Sequence, residues 1–256
     1  MIIELTINGL KVSARKGEYL LDVARRSGFD IPTLCHHEAV SSAGACRLCL
    51  VQIENTGRTK IATSCNYPVS GGENVQTDNA RIKRLRKTVL ELLLPLAPES
   101  TTLRRLARAH GLRKSRFQAA ATRTDCILCG LCVRACKELA GANAIDFSSR
   151  GSKKMLSAPY GEETGACIAC GACSEMCPVD SITMETLALM RLREKRGSER
   201  RCRYHFMGLA PSALCPMNYD CAHCEIDQQM RNFYGGHPLI MAALKLKKQE
   251  GGRKKE

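Results

Sequence analysis

Twelve of the sixteen cysteines in this 256-residue chain fall into three spacings that put thiolates where iron–sulfur clusters need them. Cys126-x2-Cys129-x2-Cys132-x3-Cys136 and Cys167-x2-Cys170-x2-Cys173-x3-Cys177-Pro178 are runs of the kind that seat a [4Fe–4S] cubane. Soft thiolates bind iron, and a C-x2-C-x2-C turn aims three of them at one point. The runs lie 41 residues apart in a repeat, Cys126-Ile127-Leu128-Cys129-Gly130-Leu131-Cys132 against Cys167-Ile168-Ala169-Cys170-Gly171-Ala172-Cys173. Paired zinc knuckles are the weaker alternative. In two-cluster chains the fourth cysteine of each run serves the other cluster. Cys126, Cys129, Cys132 and Cys177 are therefore expected on one cubane, and Cys167, Cys170, Cys173 and Cys136 on the other. Exchanging Cys136 and Cys177 is the competing assignment. Gly130 and Gly171 follow the second cysteine of each run and let backbone N–H groups approach the sulfurs. Lys137 stands where a proline is usual.

Two further four-cysteine sets follow other rules. Cys35-x10-Cys46-x2-Cys49-x15-Cys65 departs from the plant-type C-x4-C-x2-C spacing, and zinc is its plain alternative. His36 and His37 are read as supporting or exposed residues rather than ligands. Cys202-x12-Cys215-x5-Cys221-x2-Cys224 ends in a knuckle that suits structural Zn²⁺. A further Fe–S cluster ranks second there, and free or redox-switching thiols third. His205 and His223 are possible substitutes for one cysteine or bystanders, and Asp220 and Asp227 are expected in loop or helix-start contacts. The chain has no G-x-G-x-x-G fingerprint, no P-loop and no Ser/His/Asp set, so no catalytic residue and no bound nucleotide or flavin is expected.

The elements that must position these thiols form an α+β chain of small modules. Ile2 to Ile7 alternates like a strand, Asn8-Gly9 signals a hairpin, and Leu10 to Ala14 returns. Glu18 to Ser27 has helical spacing ending before Gly28; Leu48 to Ile53, Lys60 to Thr63 and Val75 to Thr77 read as strands. Hairpin, helix, cysteine loop and strands predict a β-grasp domain over residues 1–80. Residues 81–124 form a basic helical linker in which Ser100 or Thr101 caps a helix that stops at Gly111. Residues 125–186 form a two-[4Fe–4S] domain of the bacterial ferredoxin kind. Residues 187–256 form a small C-terminal metal module, with a basic helix over 187–203, the last four cysteines, and a frayed basic tail from Lys245 to Glu256.

Aromatic content is 4% with no Trp, so small modules without large cores need metal as a staple. Met1-Ile2-Ile3-Glu4 lacks a basic leader and no apolar run of spanning length occurs, which predicts a cytoplasmic chain not integral to a membrane. A reducing compartment favours metal over disulfides. The formal charge of +14 overstates the loaded protein. A four-thiolate cluster or zinc site contributes about −2, so four sites leave roughly +6. The basic stretches Arg81–Lys87, Arg104–Arg123, Arg191–Arg203 and Lys245–Lys255 read as solvated faces first and as a docking surface for an acidic partner second. Interleaved aromatics are nearly absent from them, so nucleic acid is not an expected partner.

The string Leu34-Cys35-His36-His37, Gly44-Ala45-Cys46-Arg47-Leu48-Cys49-Leu50-Val51, Ser64-Cys65 and Pro68-Val69 resembles the N-terminal part of the large iron–sulfur subunit of respiratory complex I. It is similar also to the diaphorase iron–sulfur subunits of NAD-linked hydrogenases and formate dehydrogenases. With the two cubane runs in the same order, the resemblance covers roughly residues 1–184. It implies a [2Fe–2S] cluster on Cys35, Cys46, Cys49 and Cys65. It also implies an electron-relay subunit of an oxidoreductase complex, a flavin/NAD(P)H-binding partner, and a second redox subunit such as a hydrogenase, formate dehydrogenase or other dehydrogenase. Those relatives carry a His-x3-Cys-x2-Cys-x5-Cys cluster between the two modules; here Asn66 to Asp125 holds no cysteine. A free-standing ferredoxin shuttle and a redox- or metal-sensing interaction protein are the rival readings.

Overall fold

The computed structural model describes residues 1–119, 125–158, 165–182 and 187–253. Part of the basic stretch Arg104–Arg123, part of the expected two-cubane domain and residues 254–256 lie outside these. The chain divides into two compact units, one of residues 1–36 and 42–129, the other of 37–41 and 130–256.

In the first unit, β1 (Ile2–Ile7) and β2 (Leu10–Arg15) form the expected antiparallel hairpin. Its turn residues Asn8 and Gly9 both have positive φ, which matches the twist of the strands. Helix α1 (Leu20–Arg26) follows and closes in a Schellman pattern, Phe29 N–H to Ala24 C=O and Gly28 N–H to Arg25 C=O, both 3.0 Å. Strands β3 (Leu50–Asn55) and β4 (Arg58–Thr63) make a second hairpin, and β5 (Asn74–Gln76) completes a sheet of order β2-β1-β5-β3-β4. β5 runs parallel to β1 (Thr6 opposite Asn74) and antiparallel to β3 (Ile53 opposite Val75). That mixed sheet with one helix packed on it is the arrangement of a β-grasp.

The apolar alternation explains the core. Leu5, Ile7, Val12, Val51, Ile53 and Val75 point from the strands onto Leu20, Leu21, Val23 and Ala24 of α1, and Cys49 and Cys65 lie in the same cluster. Helix α2 (Ala80–Leu93), capped by the Asn79 side chain accepting from Ile82 N–H at 2.9 Å, packs on β3 and on α3 (Thr101–Ala109). Ser100 caps α3 through Leu103 N–H at 3.3 Å, and Gly111 follows its end.

In the second unit, the short helices α4 (Leu131–Arg134) and α5 (Ala172–Glu175) begin at matching points of the repeat and pack on each other. A π turn, Ala135–Leu139, continues α4, and β6 (Asp146–Ser148) pairs with β7 (Met155–Ser157). Helices α6 (Leu187–Glu194), α7 (Arg203–Phe206), α8 (Glu225–Tyr234) and α9 (Pro238–Arg253) follow.

Two expectations need correction. The basic helix over 187–203 stops at Glu194, because Arg200 folds back and donates to the carbonyls of Arg193 (3.0 Å) and Lys195 (2.9 Å). Residues 200–202 are instead extended against 213–215: Cys202 N–H donates to Ala213 C=O and Cys215 N–H to Arg200 C=O. The tail is not frayed from Lys245 either, since α9 runs to Arg253 and Lys247 Nζ donates to Glu38 C=O at 2.7 Å. Among the described residues, no helix is long and apolar enough to cross a membrane.

Candidate metal centres

Cys35, Cys46, Cys49 and Cys65 are all buried in the first unit. Three loop contacts hold them: Cys46 N–H donates to Cys35 Sγ at 3.3 Å, and the Ser64 N–H and hydroxyl both donate to Cys49 C=O at 3.0 Å. The thiols touch, and their proton affinities split. Contact with Cys46 and then Cys65 pulls Cys35 down to about 2, and Cys65 pulls Cys49 down to about 6. Cys46 is pushed up by Cys35 and by burial, and Cys65 by Cys35 and Cys49. Four buried sulfurs in mutual contact can all be thiolates only around a cationic core. His36 bonds Ser42 Oγ through Nδ1 (3.2 Å), and His37 Nδ1 accepts from Ala39 N–H (3.1 Å), so both rings serve the loop.

In the repeat, Leu128 and Gly130 (φ 54° and 70°) match Ala169 and Gly171 (φ 50° and 83°). Left-handed residues flanking the second cysteine curl the backbone so that its N–H groups face the sulfurs. Leu128 N–H donates to Cys126 Sγ (3.3 Å), Ala144 N–H to Cys136 Sγ (3.2 Å) and Ser181 N–H to Cys177 Sγ (3.3 Å). Cys136 shares one cavity of about 170 Å³ with Cys167, Cys170 and Cys173, walled by Ile145 and Ile168. Burial, then the charges of Cys170, Cys167 and Cys136, pushes the Cys173 thiol up to about 12, and burial pushes Cys170 up. Cys129 and Cys132 are buried, while Cys126 and Cys177 are half-buried.

Cys202, Cys215, Cys221 and Cys224 line a much smaller cavity of about 10 Å³ in the second unit. Tyr219 N–H donates to Cys215 Sγ at 3.1 Å. Burial pushes Cys221 up to about 11 and Cys202 upward too. His223 bonds Asp220 (2.8 Å) and His205 bonds Pro211 C=O, both exposed. Asp227 is more than a helix-start contact. Its buried carboxylate accepts from Arg203, from the Tyr204 hydroxyl at 2.5 Å and from Arg231 at 3.0 Å. Among the described residues, no three or more His, Cys, Asp or Glu side chains close into a shell for a metal ion.

Several residues beside these centres carry no local sequence signal. Arg86 is buried on α2 and donates to Leu50 C=O at 2.9 Å, one residue from Cys49. His237 is buried and its Nε2 bonds Cys170 C=O at 2.9 Å. Each reads in sequence as one more basic residue, and only the fold brings it to a cysteine.

Residues 2–80 match the family described as a 2Fe-2S iron-sulfur cluster binding domain, and residues 119–184 match a 4Fe-4S dicluster domain. The chain is 32% identical over 204 residues to the NADPH-Fe(3+) oxidoreductase subunit alpha of Geobacter sulfurreducens, covering 71% of this chain and 24% of that protein. It is 32% identical over 212 residues to the NADP-reducing hydrogenase subunit HndD of Solidesulfovibrio fructosivorans, covering 71% and 36%. To the mitochondrial NADH-ubiquinone oxidoreductase 78 kDa subunit of Candida albicans it is 29% identical over 211 residues, covering 73% and 29%. The chain thus matches about a quarter to a third of the length of these curated relatives. A chain in the crystal structure of an H2-reduced NAD+-reducing [NiFe]-hydrogenase superposes with a TM-score of 0.61 at 28% identity, covering 84% of this chain and 98% of that one.

Proposed function

Since the chain is an iron–sulfur protein homologous to the Fe–S regions of complex I and of hydrogenase diaphorases, we propose that it relays electrons between a flavin/NAD(P)H-binding subunit and a second redox subunit. The observation that carries this reading is the pairing of a [2Fe–2S] domain with a dicluster domain, in a chain whose relatives are named as nicotinamide-linked oxidoreductases. When bound, the clusters supply one-electron transfer; no bond in a substrate changes here.

The protein's part is to hold, tune and shield. Cys35, Cys46, Cys49 and Cys65 hold the [2Fe–2S] group; all four are buried, Cys49 and Cys65 within the sheet core, which keeps water away. Cys167, Cys170, Cys173 and Cys136 hold one cubane, a choice supported by the cavity they share. Cys126, Cys129, Cys132 and Cys177 hold the other. The backbone N–H groups aimed at Cys35, Cys126, Cys136 and Cys177 favour the reduced, more negative state. A reducing cytoplasm is part of the proposal, because sixteen thiols committed to metal must stay reduced. The second subunit is a hydrogenase, formate dehydrogenase or other dehydrogenase.

Anaerobic isolation from the native host tests this. The chain should co-purify with a flavoprotein, and its clusters should bleach with NADH or NADPH only while that flavoprotein is present. A lone monomer reduced by dithionite, with no flavoprotein at any salt concentration, would instead describe a ferredoxin shuttle.

A further inference from the structure

We propose that His237 is a positioning residue for the cubane of Cys136, Cys167, Cys170 and Cys173: it orients and polarises the Cys170–Gly171 peptide, whose N–H then favours the reduced cluster. Its role rests on the relay reading only for the identity of those four ligands.

His237 is 2% exposed and stands where α8 gives way to α9. Its Nε2 lies 2.9 Å from the Cys170 carbonyl oxygen. A carbonyl only accepts, so Nε2 carries the proton and donates. Nδ1 is buried and has no hydrogen-bond partner among the described residues. A dry, unpaired ring nitrogen is unfavourable, and an apolar side chain would fill the same volume without it. The polar contact that the ring does make is to the peptide of the middle cysteine in Cys167-x2-Cys170-x2-Cys173.

Peptide geometry turns that contact towards the cluster. The described chain has no cis peptide, so the C=O and N–H of the Cys170–Gly171 bond point to opposite sides. Cys170 and Gly171 line the cavity shared with Cys136, Cys167 and Cys173, and His237 takes the C=O from behind that wall. The Gly171 N–H therefore points inward, away from the ring. Gly171 has φ 83°, the left-handed conformation that turns successive N–H groups to one side. The next of them, on Ala172, bonds the Cys170 sulfur. An amide whose oxygen accepts a hydrogen bond is a stronger donor at its nitrogen, because bonds in a chain polarise one another. The imidazole N–H and the peptide thus align their dipoles with the positive end at the cavity, where added negative charge gains most.

The ring is held from both ends. Gly235 and Gly236 (φ 76° and 143°) make the turn before it, closed by Gly236 N–H to Arg231 C=O at 2.8 Å; Met241 N–H donates to His237 C=O at 3.0 Å. Arg231 reaches Glu175, two residues past Cys173, at 3.2 Å. Cys215 and Tyr219 share a buried apolar cluster with Ala169, which lies between Cys167 and Cys170. The C-terminal module grips the ligand loop at these points, and the His237 contact is the one on a peptide beside the cavity.

The test is an EPR-monitored redox titration of the full chain, isolated anaerobically, as wild type, His237→Gln and His237→Phe. Gln can place an amide N–H near the position of Nε2; Phe keeps the bulk and loses the donor. His237→Phe should disfavour reduction of one cubane about threefold, because the Gly171 donor is weakened by about 10–30% rather than removed. That is a midpoint lower by roughly 30 mV, at about 59 mV per tenfold for one electron. The other cubane and the [2Fe–2S] group should not move. His237→Gln should keep most of the wild-type midpoint. Equal midpoints in all three proteins would overturn the proposal. So would equal shifts in both variants, which would mark ring packing rather than the N–H. If His237→Phe fails to retain iron, His237→Asn, whose amide falls short of the carbonyl, replaces it with the same expected and overturning results. No flavoprotein is needed for the titration. Unmoved midpoints with both cubane signals present sink the role of His237 alone, whereas wild-type protein without cubane signals sinks the relay reading.

Discussion

Arg86 is the residue where charge and cluster chemistry meet most directly in the first unit. Burial pulls its proton affinity down, and the charges of Asp78, Cys49 and Asp30 pull it back. A guanidinium held beside Cys49 stabilises the added negative charge of a reduced [2Fe–2S] group, so it raises the potential. Arg86→Leu should lower the midpoint, on the order of 50–100 mV for a unit charge several ångströms away at an effective dielectric of about 20. Arg86→Lys should keep most of it. Redox titration followed by EPR reads both, and equal midpoints in all three proteins would remove the assignment. Asp227 gives a stability counterpart. Its removal takes away the acceptor that Arg203, Tyr204 and Arg231 share, so Asp227→Ala should cost about 1–3 kcal/mol in the second unit, read by thermal unfolding under nitrogen. The solvent-facing pair Arg231–Glu175 is a different case, and Glu175→Gln should cost about 1 kcal/mol or less.

At the scale of elements, the repeat turns are the parts most exposed to a small change. Gly130 begins α4 with φ 70°, and a Cβ there would meet Phe147 at 3.3 Å; Gly171 begins α5 with φ 83°. Gly130→Ala forces an L side chain into left-handed backbone, at about 1–2 kcal/mol. The strain falls on the turn that presents Cys129 and Cys132. Gly130→Ala should therefore lower the melting temperature and speed iron loss to a chelator, with Gly171→Ala acting in the same direction. Wild-type iron retention in both would show that these turns tolerate a side chain. The elements also show what a sequence reveals. The hairpin at Asn8-Gly9, the caps at Ser100 and Gly28 and the strands around Cys49 and Cys65 were legible because period and turn chemistry agree locally. Residues 195–202 were not legible. Their basic, helix-compatible composition was overridden by Arg200 turning back on α6 and by strand pairing with residues 213–215, contacts no local pattern encodes. The end of the chain misled in the same way. A run of lysines reads as solvated coil until Lys247 finds the carbonyls of Glu38 and Val40.

For the molecule as a whole, cysteine spacing announced the cluster domains because thiolate geometry leaves little freedom. The C-terminal site was ambiguous because one knuckle suits both zinc and iron. The same holds of charge. Composition gives +14 but not where it acts. In the fold, Arg104, Arg105 and Arg108 of α3 are exposed, with Arg104 held by Glu99 at 2.6 Å. With clusters loaded, the net charge falls to roughly +6 while the exposed arginines keep their local field. If that face meets the flavoprotein, association should be steered electrostatically. Raising salt from about 0.1 M to about 1 M shortens the screening length from about 10 Å to about 3 Å. The association rate should then fall about tenfold or more, with the dissociation rate changing far less. Arg105→Glu with Arg108→Glu should reproduce much of that loss at low salt. An association rate indifferent to both salt and charge reversal would mean that this face only solvates its helix, and that the docking surface lies elsewhere on the chain.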